Sequence, residues 1–529
     1  MRRMKGAAGL LTALLLAFQL SAQTFALANE DNGIKVVPVN FTHNGYSYEI
    51  EGVAKSTEGD YQIKSPSRLA ARKLPSAYDP RSLGEITTVK DQASTGACWA
   101  FSALACAEQD LIKKGLENPS AEFSVPALVL SSNSGTATGK DDFSSGGNWL
   151  FAASALANGQ GLCYEDYEPF LESGTENMIV SENKKSVSEY RLNYVMELSS
   201  TTQVKRKIME LGAVSASYFA GNGYMNHNNT AYYDPDASKN TIINHSVTVV
   251  GWDDNYSKDN FRYKPANNGA WLVKGSWGAD QDNDGFYWVS YDEAEFGQFC
   301  CYDFEESCDN TYHYSKMTGY VVNASNDGSV YGANVFTAKA DEKLDKAGFM
   351  YVGKTGSADY TLSVYTDVSD SDPIGVLETQ ISGSVSANGF YTVDFPEDIL
   401  LEEGEKYSIS VKFSGDSGRG YLLAESDRTS KAQSGQSYIS LNGKYWSDVG
   451  ADKTDSIGSL FIYAYTDDTA KPDKSSLETT LAKYGSLAGC EREANNARTV
   501  LADENASKND ISNAQKLLIS AAEEQDEAL

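Results

Sequence analysis

Val89-Lys90-Asp91-Gln92-Ala93-Ser94-Thr95-Gly96-Ala97-Cys98-Trp99-Ala100-Phe101-Ser102 leads a polar, glycine-containing turn straight into an apolar periodic run. The pattern predicts a helix over Cys98–Lys114 that begins at a cysteine. The first N–H groups of a helix have no partner within it, and the macrodipole is positive there. A sulfur at that point is therefore favoured as a thiolate, the nucleophilic form. A cysteine at a helix start is also a common small core residue, so position alone does not make it a nucleophile.

A thiolate nucleophile needs an imidazole that pairs with it and later protonates a leaving amine. Four histidines are available, His43, His227, His245 and His313. His43 falls in a polar leader, His227 in the loop-like run Met225-Asn226-His227-Asn228-Asn229, and His313 at a change of composition. His245 opens the apolar run Ser246-Val247-Thr248-Val249-Val250, and the start of a strand is a rigid place from which to hold a ring. Taken singly it reads equally as a core histidine; its partners give it a function.

Three blocks taken together resemble the papain family of cysteine peptidases: Lys90-Asp91-Gln92 through Ser102, then Asn244-His245-Ser246-Val247, then Trp271-Leu272-Val273-Lys274-Gly275-Ser276-Trp277-Gly278. The likeness runs from about Leu74 to Cys308. It implies Cys98 as nucleophile, His245 as general base and acid, and Gln92 as the side chain that forms an oxyanion hole with the Cys98 N–H. It further implies Gly146-Gly147 as the backbone that an extended substrate approaches, and Trp277 as a shield over the site. No cofactor and no metal are implied.

Two features depart from that family. A disulfide often found there would join positions that here hold Thr95 and Ser144. Where the family carries an asparagine that orients the histidine, this chain has Gly275. Alternation along a strand turns Lys274 and Ser276 to the opposite face, so neither is an obvious replacement. Two readings follow. One is a cysteine endopeptidase working through an acyl-enzyme on Cys98. The other is a catalytically weak or inactive papain-like scaffold serving surface or carbohydrate binding.

Outward from these blocks the chain divides. Arg2, Arg3 and Lys5 precede an apolar run from Ala7 to Phe18, and Ala26-Leu27-Ala28 offers a cleavage site, so residues 1–28 read as a signal peptide. The run is shorter than the roughly 20 residues a bilayer requires, which argues against a membrane-spanning helix. Residues 29–73 form a leader or short propeptide ending in the basic Ser67-Arg68-Leu69-Ala70-Ala71-Arg72-Lys73. Residues 74–312 mix helix and short strands, as expected of an α+β papain-like domain. Residues 313–467 carry alternating strands such as Tyr360–Tyr365 and Tyr407–Lys412, predicting an all-β sandwich. This segment resembles the lectin-like domain found after the peptidase in some bacterial members of the family, which makes a surface glycan a candidate ligand. Tyr445 and Trp446 read either as sugar-stacking or as core residues. Residues 468–529, with Leu477, Leu481, Ala494, Ala497, Val500, Ile511, Ala514, Leu517 and Ala521 at helical spacing, predict a small helical module.

The 529 residues include 73 acidic and 44 basic side chains, a formal charge of −29. Such a surface excludes nucleic acid as a favoured partner and leaves a protein or peptide substrate. Seven cysteines are an odd number, so at least one thiol stays outside any disulfide of the monomer. Asp280-Gln281-Asp282-Asn283-Asp284-Gly285 copies the opening of a calcium loop, but Tyr291 stands at its closing position and a plain acidic loop is the reading taken. The expected location is secreted or extracellular.

Overall fold

The structure, a computed structural model, describes strand segments at 35–38, 42–43 and 46–47 and the chain from 73 to 527. Within that span it leaves out 133–142, 144–145, 160–161, 166–188, 222, 238–242, 280–281, 295, 316–320, 370–371, 426–431, 452–456, 470–472, 504–505 and 507. The expected signal peptide, the basic run up to Arg72 and Ser144 lie outside the described residues.

The helix expected at the cysteine runs over Cys98–Lys114. Its end follows from Gly115, which takes φ 72° and returns its N–H to Ile112 and Leu111 carbonyls, a conformation that costs glycine little. Fourteen residues in a row, Cys98 to Leu111, are buried on it. A helix apolar and buried all round is the centre of a core, and here it packs against the strands His245–Asp253 and Gly297–Glu306. A second buried helix, Trp149–Ala157, is capped by Asn148 Oδ1, which accepts from the N–H groups of Leu150 and Phe151.

The strands on which these helices rest belong to a sheet that does not stop at the expected boundary near 312. From one side it runs Asn310–Tyr312, Ile462–Asp468, Glu342–Tyr351, Gly389–Leu401, Tyr190–Leu198, Gly297–Glu306, Val214–Tyr218, His245–Asp253, Ala270–Lys274, Phe286–Ser290, Ala231–Tyr232 and Met225–Asn226. The join is antiparallel, with Gly389, Phe390 and Tyr391 opposite Met196, Val195 and Tyr194. One apolar core accordingly contains Trp99, Leu104 and Phe151 from the first half together with Phe390, Phe461 and Tyr463 from the second.

A second sheet completes the β region: Val376–Val385, Ala358–Thr366, Lys406–Glu425, Val321–Thr337, Ser437–Ser440 and Ser447–Asp448 in order, with Lys35–Pro38 of the leader added antiparallel to Val321–Thr337. Trp446 packs against Ala333, Val335 and Tyr438, whereas Tyr445 is 81% exposed. Helices Ser475–Tyr484, Glu491–Ala502 and Lys508–Glu527 close on Leu477, Ala494, Ala497, Ile511 and Ala514. Among the described residues no helix is long and apolar enough to cross a membrane, and none of the seven cysteines forms a disulfide.

Asp110 pins the long helix to the sheet. Its Oδ2 accepts from Phe304 N at 2.7 Å and from Lys114 Nζ at 2.8 Å. Burial outweighs the Lys114 attraction and pushes this carboxyl from 3.8 up to about 7. Between those two values the folded protein holds a proton that the unfolded chain gives up, so this group makes stability fall as pH rises from about 4 to about 7. Melting curves across that range are expected to show the slope, and Asp110→Asn is expected to flatten it. Equal slopes in the two proteins would contradict the assignment.

Candidate active site

Helix and strand bring the first two sequence blocks together at their starts. Cys98 is the first residue of its helix and His245 the first of its strand. The N–H of Ser246 donates to Cys98 Sγ at 3.4 Å. One turn along the same helix face, Ser102 Oγ donates to the Val247 carbonyl at 2.7 Å and lies 3.0 Å from Ser215 Oγ, which can donate to it. Helix register against the sheet is thereby fixed at the sulfur and one turn beyond it.

The third block folds back onto the first. Gln92 N donates to Ser276 O at 2.8 Å, Gly278 N to Lys90 O at 3.1 Å, and Asp91 bridges Trp277. The Gln92 side chain is held at both ends: Ser276 Oγ donates to its Oε1 at 2.6 Å, and its Nε2 donates to Thr95 O at 2.8 Å. An amide nitrogen carries two hydrogens, so the clamp engages one and sets the direction of the other. Trp277, 37% exposed, lies flat on His245 with ring centroids 4.4 Å apart and planes 7° apart. Tyr218 meets the same imidazole edge-on at 5.9 Å.

The electrostatics differ from expectation. Burial pushes the Cys98 thiol up from its ordinary value, and hydrogen bonds from the Ser246 and Trp99 N–H groups offset only part of that. A helix start in a dry core does not by itself deliver a thiolate, because desolvation of the anion exceeds what the free N–H groups return. A thiolate at this position therefore needs a counter-charge close to the sulfur.

Gly146 and Gly147 are both buried. Gly146 needs its glycine for a φ of 70°. At Gly147 a Cβ would sit 2.5 Å from the Trp99 indole, so packing beside the nucleophile requires a bare backbone here independently of any substrate. The missing disulfide at Thr95 is replaced locally by Thr95 Oγ1 donating to Gln92 O at 2.8 Å and by Gly96 N donating to Phe143 O at 2.6 Å.

Lys274 turns inward, its Nζ donating to Thr87 Oγ1 at 2.6 Å, within 3.8 Å of the Glu108 carboxylate. At Gly275 a Cβ would meet Gly285 O at 3.1 Å and Tyr287 Cε1 at 3.3 Å. His227 is exposed, and His313 Nδ1 lies 3.0 Å from the Ser315 carbonyl; neither joins the site. In the acidic loop, Asn283 Nδ2 donates to Phe286 O at 2.9 Å, and no metal-binding cluster occurs among the described residues. Sequence reasoning passed over Ser276 as the clamp on Gln92, although it stands inside the third block. It passed over Tyr218 and Tyr287 because no motif marks them.

Residues 74–325 match the family model described as papain family cysteine protease, and residues 311–466 the one described as lectin like domain. Among solved structures, the cysteine protease and lectin-like domains of Cwp84, a surface layer associated protein of Clostridium difficile, are similar with TM-score 0.64 at 26% identity, over 81% of this chain and 93% of that one. The same clostridial protease after propeptide cleavage gives TM-score 0.64 at 28% identity, over 75% and 100%. Cathepsin K of Mus musculus is 24% identical over 40% of this chain and 59% of its own length. Cathepsin L2 of Homo sapiens is 26% identical over 42% of this chain and 62% of its own. The chain thus spans about three fifths of the length of the curated relatives it matches.

If the imidazole supplies the counter-charge, the rate of iodoacetamide alkylation of Cys98 should rise with a midpoint well below the ordinary thiol value of about 8.5. His245→Ala should move that midpoint above it, in the direction burial dictates. Superimposable pH profiles would show that the ring does not act on the sulfur.

Proposed function

From a chain that carries a papain-family cysteine protease domain followed by a lectin-like domain, we propose a secreted cysteine endopeptidase that hydrolyses peptide bonds through an acyl-enzyme on Cys98. The observation that carries the reading is the meeting of three blocks at one point: Ser246 N on Cys98 Sγ, Ser276 on Gln92, and His245 on Trp277.

In this reading His245 takes the Cys98 proton and the sulfur attacks the substrate carbonyl. Negative charge builds on the former carbonyl oxygen, where the free hydrogen of Gln92 Nε2 and the Cys98 N–H receive it. His245 then gives its proton to the leaving amine, and water attacks the thioester with the ring again as base. Ser276 acts one step removed, by keeping the Gln92 amide from turning.

An extracellular location is supported by the signal-peptide pattern of residues 1–28 and by the surface-layer association stated for the Cwp84 relative. The lectin-like domain gives a glycan-binding role to a surface carrying Tyr445, whose loop is shaped by Asn442 Oδ1 accepting from the Lys444 and Tyr445 N–H groups. A protein substrate fits the net charge and nucleic acid does not. Gly275 favours a second reading, a papain-like scaffold without turnover.

An epoxide inhibitor of thiol peptidases decides between them. The enzyme is expected to gain one adduct on Cys98 by mass spectrometry, lost in His245→Ala, whereas a folded sample without adduct indicates the scaffold. In peptide hydrolysis Gln92→Ala is expected to lower kcat about 10²–10³-fold. Ser276→Ala should lower it about tenfold with KM little changed, the pattern of a lost transition-state contact.

A further inference from the structure

The space that an asparagine at position 275 would enter is tight. A Cβ there points at the Gly285 carbonyl, 3.1 Å away, and at Tyr287 Cε1, 3.3 Å away. Tyr287 is buried and its hydroxyl lies 2.9 Å from that of Tyr218, also buried. Tyr218 stands directly opposite His245 in the antiparallel pair of strands and meets its ring edge-on. Tyr287 stacks with Trp277 at 6.3 Å and 16°, and Trp277 stacks on His245. The contacts form a closed circuit: His245 to Trp277, Trp277 to Tyr287, Tyr287 to Tyr218, and Tyr218 back to His245.

We infer that Tyr287 and Tyr218, joined through their hydroxyls and closed by Trp277, hold the His245 ring in its working plane in place of an asparagine at position 275. A face contact and an edge contact together resist rotation of the imidazole, since turning it would lift it from the indole and drive it into the tyrosine. Tyr218 is itself fixed by Tyr232 at 5.1 Å and Phe296 at 5.5 Å, both edge-on. Next to the ring in sequence, Asn244 Oδ1 accepts from Ala220 N at 2.7 Å and Ser246 Oγ lies 3.1 Å from Ser217 Oγ, which fixes the backbone that carries His245. On this account Gly275 is the accommodation for Tyr287 rather than a defect. Tyr218 and Tyr287 are positioning residues, and their role deepens the peptidase reading on which it rests.

The test combines alkylation of Cys98 by iodoacetamide across pH with peptide turnover. Tyr287→Ala should move the alkylation midpoint toward that of His245→Ala. Tyr287→Phe and Tyr218→Phe, which keep the packing, should each lower kcat about three- to tenfold, because each strands a buried hydroxyl. The double Phe variant should be no worse than either single, since the two hydroxyls serve each other. Gly275→Asn alone should lower kcat, and adding it to Tyr287→Ala should recover at least tenfold over Tyr287→Ala. A wild-type midpoint below the ordinary thiol value that Tyr287→Ala leaves unmoved, or a Gly275→Asn enzyme faster than wild type, overturns the cage alone. A wild type with no such depressed midpoint overturns the peptidase reading and the cage with it.

Discussion

Everything at the site depends on how the start of one helix is pressed against the start of one strand. Ser102 is the fastener: its hydroxyl reaches the Val247 carbonyl and Ser215, and Thr248 Oγ1 approaches it at 3.4 Å. Because Cys98 and Ser102 are four residues apart on one helix face, locking Ser102 to the strand aims the sulfur at the Ser246 N–H. Apolar packing around the helix would tolerate a slide along its axis; these buried hydrogen bonds would not, since breaking them strands polar groups in the core.

The helix Trp149–Ala157 explains why the β region is more than an appendage. Glu197, on the strand that pairs with Gly389–Tyr391, accepts from Trp149 Nε1 at 3.1 Å and from Asn388 Nδ2 at 3.0 Å. Trp149 begins the helix that follows Gly146-Gly147, and the far end of that helix is held by Tyr465 OH on the Ala157 carbonyl at 3.2 Å and by Asn158 Nδ2 on Ser315 O at 3.3 Å. The far end of the helix that follows the glycine pair is therefore fastened directly to residues beyond the expected boundary at 312, and its near end reaches Asn388 through Glu197. Burial holds the Glu197 carboxyl above its ordinary value, with its two hydrogen bonds opposing, so this clamp is a dry polar network rather than a solvated contact.

Local patterns were legible where one element sufficed to decide them. The helix from Cys98 to Lys114 is read from apolar periodicity, and the alternating runs at Tyr360–Tyr365 and Tyr407–Lys412 fall inside the strands Ala358–Thr366 and Lys406–Glu425. Cys98, His245 and Gln92 were singled out because short blocks carry them. The continuous sheet was not legible, because pairing of Gly389 with Met196 is a choice between strands far apart in sequence. Nor was the reason for Gly275: it lies in Tyr287, and nothing along the chain announces that a ring on the next strand fills the place of a side chain. The glycine at 147 was read as room for substrate, while the Trp99 indole already demands it.

Burial at this site sets how much the imidazole's orientation matters. An exposed thiol that loses its partner still ionises in water near its ordinary value. Cys98 is 2% exposed, so a lone thiolate there bears the full loss of hydration. In the proposed reading a thiolate and an imidazolium formed together are neutral as a pair, and their attraction is strong in a low-dielectric surrounding only while the ring and the sulfur keep their geometry. A misaligned His245 would thus remove the ionised state itself rather than merely slow one proton transfer. Buried aromatic rings are suited to that task, for they exclude the water that would screen the pair while leaving the imidazole almost no room to turn.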